Sequence, residues 1–403
     1  MSTNYNDPAG GTPATIDQGT GRQINTEYHH KMSLIEAAKE VYFGQLSSAK
    51  NMPKHYGKKI SMYHYLPILD DANVNDQGID ASGATISDGN LYGSSKDVTT
   101  VNGKIPLLGE TGGRNNRVGS SRKVIEGEIT KVGFFTEFSR DALDFDTDNE
   151  LYGHLSREMI MAANELQEDL LQMDLLNGAG VVKYSGTATS DATISGEASG
   201  ITEVSYDDMQ RLAIDLFNNR TPKKTNVIVG SRLVDTHVVA SGLYMYVGSE
   251  MVPTLSRMTD HHGNAAFVGV EHYAHSGVSG VNSINGEIGK CGDFRIIQVP
   301  EMMKWSGAGE TATGSNAGYQ VTGSKYDVFP MLVVGDQSFA TIGFQTDGKS
   351  TKFKIKHSFP GDNISYSSAD PFGEIGFMSI KFWYGTLVMR PERLAVIKTV
   401  ARS

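Results

Sequence analysis

The chain has 403 residues and a mass of 43.6 kDa, with 36 Lys and Arg against 46 Asp and Glu, a formal net charge of −10. That length predicts two to three domains or subdomains and a core that needs no covalent staple. The acidic balance argues against a general polyanion-binding surface, and the single Cys291 excludes an internal disulfide framework.

Residues 1–25 hold Gly, Thr, Pro, Asn and Asp with almost no apolar content, which predicts an arm that is flexible or ordered by a neighbour. Met1–Gly21 shows neither the basic nor the apolar region of a signal peptide, so none is expected. No apolar run approaches the ~20 residues of a membrane-spanning helix. Leu34, Ile35, Ala38, Val41 and Tyr42 recur at helical spacing and predict a helix over 28–46, broken by Pro53 and Gly57. Lys58–Leu69 reads as a strand rich in Ile and Tyr, and Val124–Phe138 as another.

Between them, residues 70–122 are poor in large apolar side chains and rich in Gly, Asn, Asp and Ser. A structureless connection of that length belongs to a functional loop or hairpin rather than to a compact core. Its second half carries Arg114, Arg117, Arg122 and Lys123, a basic cluster on an acidic chain. It reads either as a solvated loop with scattered charge or as a docking element that meets acidic surface on a neighbour.

A long helix is predicted over 148–177. Thr147 to Glu150 forms a capping-box pattern, apolar residues follow at Leu151, Leu155, Met159, Ala162, Leu166, Leu170 and Met173, and Asn177-Gly178 supplies a stop. About 30 residues at 1.5 Å each give a strut of ~45 Å. Glu158, Glu165, Glu168 and Asp169 are assigned to its opposite face. Residues 180–204 are small and β-prone; a second helix covers about 206–219, a strand 226–230 and a short helix 231–241. With the strand Phe294–Val299, the stretch 205–300 alternates like an α/β subdomain. Strands then dominate at 328–334, 352–357, 377–389 and 394–400.

Candidate chemistry is sparse. His261, His262, His272 and His275, with Asp260 and Glu271 nearby, have metal-ligand residue types, but their spacing matches no established signature. Asp144, Asp146 and Asp148 resemble the start of a calcium loop, yet Asn149 occupies the turn glycine's place and Leu155 that of the bidentate Glu. Acidic residues that favour a helix N-terminus explain them better. Cys291 lies between glycines beside Lys290, where a structural role outweighs a reactive one. No phosphate loop, nucleophile elbow or dinucleotide fingerprint is present, so no enzyme and no cofactor is expected.

The run Asp370-Pro-Phe-Gly373, Lys381-Phe-Trp-Tyr-Gly385 and Met389-Arg-Pro-Glu-Arg-Leu-Ala-Val-Ile397 resembles the closing strands of the N4-like group of tailed-phage major capsid proteins. Ser48-Ala-Lys-Asn-Met-Pro-Lys-His-Tyr-Gly57, the strand ending in Pro67-Ile-Leu-Asp70, and the strand, acidic turn and long helix of 128–176 resemble that group in the same order. The resemblance implies an α+β, HK97-like capsid fold. Its parts would be an N-terminal arm (1–57), an extended loop (58–138, with an insertion at about 72–122), a peripheral domain with the spine helix 148–177 (139–204), an axial domain (205–300) and a return to the peripheral domain (301–403). It further implies hexamers and pentamers of the chain in an icosahedral shell around double-stranded DNA, enclosed without sequence-specific binding. The chain would be made in host cytoplasm and end in the virion, with separate scaffolding, portal and decoration proteins and no membrane. Two readings compete: a secreted or surface β-rich adhesin-like protein, and a metal-dependent enzyme built on the four histidines.

Overall fold

The computed structural model describes residues 42–52, 57–65, 98–103, 105, 107, 110, 122–145, 151–228, 236–274, 284–344, 353–360 and 372–402. They fall into two compact units, one from segments 134–162 and 355–380, the other from 39–133, 163–354 and 381–403. The predicted arm 1–25 and residues 28–41 of the first predicted helix lie outside the described residues. The rest of that helix is a single 3-10 turn, Phe43–Leu46.

The larger unit is organised by a mixed eight-stranded sheet. Its order is Val181–Tyr184, Leu394–Thr399, Phe329–Val334, Thr236–Gly248, Phe294–Val299, Glu287–Cys291 and Phe267–Gly269, with Lys224–Ile228 paired to the first half of Thr236–Gly248. The central strand pairs antiparallel with Phe329–Val334 and parallel with Phe294–Val299. Strands 329–334 and 394–399 thus share one sheet with the strands of 205–300. Residues buried on both faces of a sheet read as continuous apolar runs, and FPMLVV does; FRIIQV is interrupted by the buried Arg295 and by Gln298.

A short helix is not found at 236–241. Thr236–Gly248 is one strand of 13 residues, rich in β-branched and aromatic side chains and paired on both edges; residues 231–235 lie outside the described set. One face of the sheet is covered by the helix Tyr206–Asn218, capped by Ser205 and Asp208, through Met209, Leu212, Ala213 and Leu216. The other face carries Tyr246, whose hydroxyl donates to Tyr42 O at 2.9 Å and whose ring lies 4.6 Å from Phe43.

The long helix is Leu151–Asn177, 27 residues. Its N-terminal box at 147–150 lies outside the described residues. The buried line runs through Met159, Ala163, Leu171 and Leu175, whereas Met173 faces solvent. Apolar residues occupy several faces of this helix, so periodicity picked a neighbouring stripe. Glu168 is buried rather than exposed, because its Oε2 accepts from the amides of Tyr42 (3.2 Å) and Phe43 (2.9 Å). Gly178 follows because any Cβ there would sit 2.8 Å from Val388 Cγ2.

Two predicted strands are each split by a bend. Residues 122–139 form Arg122–Glu128 and Thr130–Ser139, and residues 375–388 form Ile375–Tyr384 and Thr386–Val388. The bends meet: a Cβ on Gly385 would lie 2.9 Å from Glu128 O, and Thr130 Oγ1 donates to Tyr384 O at 3.3 Å. In the smaller unit, Tyr152, His357 and Phe359 form an edge-on ring cluster, with Phe138 beside Phe359.

Two polar constellations stabilise the larger unit. Arg295 makes a bidentate pair with Glu287 (2.6 and 2.8 Å) and reaches Tyr244 OH at 3.3 Å, all buried. Burial pushes the Tyr244 hydroxyl up to about 12. Gly242 makes room, since a Cβ there would stand 2.8 Å from Arg295 Cδ. Arg295→Ala strands a buried carboxylate and is expected to cost about 3–5 kcal/mol, read as a lower urea midpoint, whereas Arg295→Met with Glu287→Leu costs far less.

In the lobe around Ile194, Tyr319, Tyr326 and Val328, Glu197 Oε1 accepts from Thr313 N (2.7 Å) and Tyr326 OH (2.9 Å). The Thr313 amide chiefly holds the Glu197 carboxyl below its usual range. A depressed carboxyl stabilises above its unfolded value, roughly pH 4.3, and loses that contribution as pH falls through its folded value. Melting temperature is therefore expected to drop on acidification below that pH, and Glu197→Gln to flatten that limb.

Candidate functional site

Lys59–Tyr65 and Arg122–Glu128 pair antiparallel from Lys59↔Glu128 to Tyr65↔Arg122, forming a two-stranded ribbon. A two-stranded ribbon is marginal alone and needs a third layer. One face has that layer. Ile60, Met62 and Ile125 pack against Ile129, at the bend after Glu128, and against Ile342 and Leu387 of the three-stranded sheet Ser48–Met52, Phe339–Phe344, Thr386–Val388. Gly127 permits the close approach, because a Cβ there would lie 2.9 Å from Ile342 Cδ1 and 3.0 Å from Thr386 O.

The other face is open. Along Lys59–Tyr65 burial alternates strictly, and the outward positions include Tyr63 and Tyr65, 58% and 67% exposed. Val124, opposite Tyr63, is 46% exposed. The Arg122 guanidinium lies 4.2 Å over the Tyr63 ring, an exposed cation–π contact worth ~0.5–1 kcal/mol. Lys59 and Glu126 add an exposed ion pair at 3.9 Å that contributes little. Two tyrosines, a valine and a stacked arginine on one strand pair make a contact surface, since Tyr and Arg supply amphipathic area at interface cores.

Of the predicted basic cluster, Arg122 belongs to this face and Lys123 pairs in register with His64; Arg114 and Arg117 lie outside the described residues. Among its described residues the 70–122 segment holds a short helix, Val98–Gly103, where none was predicted. Tyr63, Tyr65 and Val124 were not singled out from sequence. Their signal was the alternation in KISMYHY, which puts both tyrosines on one side of a strand.

The other candidates disperse. His261 and His262 are exposed; His261 Nε2 lies 3.3 Å from Gln210 Oε1, and the His262 amide donates to Asp260 Oδ1 at 2.8 Å. Asp260 also accepts from the Asn264 amide, which chiefly holds its carboxyl below the usual range, so it closes a turn. His272 lies in the short helix Val270–Ala274, and His275 is outside the described residues. Among the described residues no three His, Cys, Asp or Glu side chains converge as metal ligands. Asp144 pairs with Arg140 at 3.4 Å, and Asp146 and Asp148 lie outside the described residues.

Cys291 is buried, its Sγ 3.8 Å from Met258 Sδ, and burial pushes the thiol up to about 11. The neighbouring Lys290 is exposed and does not lower it. A thiol reagent at pH 8 is expected to label no cysteine in the native chain and one per chain after denaturation.

A family model described as phage capsid protein matches residues 123–397. The chain is 54% identical over 398 residues to the major capsid protein of Pseudomonas phage KPP21, covering 99% of this chain and 97% of that one. The capsid of Ralstonia phage GP4 aligns with a TM-score of 0.59 at 13% identity, over 96% of this chain and 99% of its own. The Cyanophage Pam1 capsid asymmetric unit aligns with a TM-score of 0.54 at 10% identity, over 96% and 100%. At such identities the likeness is one of fold, the α+β HK97-like fold.

Proposed function

The chain belongs to the phage capsid protein family, and from that premise we propose how its parts divide the building of a shell. It is a major capsid protein, structural and not catalytic, and its copies form the multi-subunit capsid of a virion. We assign residues 1–57 to an N-terminal arm, 58–138 to an extended loop, 139–204 to a peripheral domain with the spine helix, 205–300 to an axial domain and 301–403 to a return of the chain. Copies associate as hexamers and pentamers around double-stranded DNA, with separate scaffolding, portal and decoration proteins, after synthesis in host cytoplasm. Membership of the N4-like group belongs to the same reading. A net charge of −10 suits a container that must not trap its polyanionic contents.

The observation that carries this division is the ribbon: one face is footed on the core while the other presents Tyr63, Tyr65, Val124 and Arg122 to solvent. Such a face is complete only when a neighbouring copy covers it. Each contact is modest, and closure multiplies it through many simultaneous attachments.

Tyr63→Ala with Tyr65→Ala removes the two anchors without touching the footed side. The double variant is expected to remain folded, with an unchanged melting curve, and to form no closed shells by electron microscopy under conditions where the parent does. Each truncation removes on the order of 2 kcal/mol per contact. Normal shells from this variant would overturn the assignment; Ser61→Ala on the same face serves as the control.

A further inference from the structure

A groove of about 570 Å³ opens beside the ribbon. Among the described residues it is lined by Lys50, Arg390, His64, Tyr63, Tyr65 and Met62 with others, and none of these described lining residues is Asp or Glu. On a chain of net charge −10, a concavity whose described lining carries two cations and no carboxylate favours negative charge. Lys50 is exposed and has no ion-pair partner among the described residues; Arg390 shares its guanidinium with Glu392 at 3.7 Å. The groove is continuous with the open face through Tyr63 and Tyr65.

The complementary element is in the same sequence. Residues 141–150 hold Asp141, Asp144, Asp146, Asp148 and Glu150 with no Lys or Arg among them. Asp141 and Asp144 stand exposed on the helix Arg140–Phe145, and the remainder lie outside the described residues. From Asp144 to Glu150 an acidic residue stands at every second position of the sequence.

We propose that this groove receives the acidic segment 141–150 of a second copy, so that the ribbon's aromatic face and the neighbour's carboxylates are engaged together. The inference rests on the reading of the ribbon as a docking element and adds its partner. A nucleic-acid phosphate chain is the poorer fit, because polyanion sites recruit about six to ten phosphate contacts and the described lining of this groove offers two cations. Charge complementarity of this kind sets register and partner choice more than raw affinity.

The test uses the full chain. Cys291 is buried, so introduced cysteines are the reactive thiols. Lys50→Cys is combined in turn with Asp144→Cys, Asp146→Cys and Asp148→Cys, and assembled particles are oxidised and run under denaturing, non-reducing conditions. Inter-chain dimers and higher rungs are expected for at least one pair, formed in particles and not in dispersed subunits, since a disulfide requires Cα atoms within about 7 Å. Only intra-chain products, or no cross-link in intact particles, would overturn the proposal.

A charge exchange supplies the second arm. Lys50→Glu is expected to lower shell yield about tenfold, and Asp146→Lys with Asp148→Lys to restore it in that background to within about threefold. Unchanged yield with Lys50→Glu, no rescue, or a loss of encapsidated DNA alone would each refute it. Should the Tyr63/Tyr65 variant abolish assembly while both arms fail, the ribbon remains a docking element and only its assigned partner falls.

Discussion

The larger unit depends on how Tyr42–Leu46 is seated. Glu168, a buried carboxylate on the long helix, accepts from two backbone amides there, those of Tyr42 and Phe43. The Tyr42 carbonyl is taken by Tyr246 of the central strand, and the Leu46 carbonyl by the buried Lys224 ammonium at 2.7 Å. Desolvation holds the Lys224 pKa below its usual value, and Asp336, 3.4 Å away, offsets part of that. A short turn is thereby clamped by helix, central strand and adjoining strand. Any one of these groups, left without its mate, becomes a buried unsatisfied charge or amide, which is costlier than the bond is favourable.

Everything outward of that clamp is positioned by it. Ser48–Met52 leaves the turn and pairs in parallel with Phe339–Phe344, register Ser48↔Ala340 to Met52↔Phe344. That sheet carries Ile342 and Leu387, on which the ribbon's inner face rests. The open tyrosines therefore project from a rigid footing, and a rigid contact face spends less ordering entropy on association than a loop would. Packing sets this geometry; the ion pairs at the ribbon surface refine it little.

Much of this was legible in the sequence where a single physical rule decided the outcome. Phe329–Val334 reads as a strand because an unbroken apolar run of that length is a sheet core, Phe294–Val299 from its β-branched and aromatic content, and Tyr206–Asn218 as a helix from its stripe. Where two rules competed, reading failed. Glu168 was assigned to solvent on residue type, because nothing local shows that two amides 125 and 126 residues away would claim it. The helix expected at 231–241 gave way to strand from Thr236 onward, because tertiary pairing on both edges overrides weak helical spacing. The histidines showed residue type without geometry. The contact face was hidden for the opposite reason: Tyr63 and Tyr65 look like core aromatics until the partner strand fixes which side of the ribbon is filled.

The clamp also has a temporal side. Its bonds span 125, 126, 178 and 204 residues of chain, and the footing of the ribbon needs Phe339–Phe344 and Leu387 as well. A ribosome delivers those segments well after residues 59–128. A nascent or truncated chain holding residues 59–128 therefore has the adhesive strands without the ground they stand on. Such a design ties readiness to assemble to the synthesis of residues 339–387, and keeps half-made subunits from entering a growing lattice.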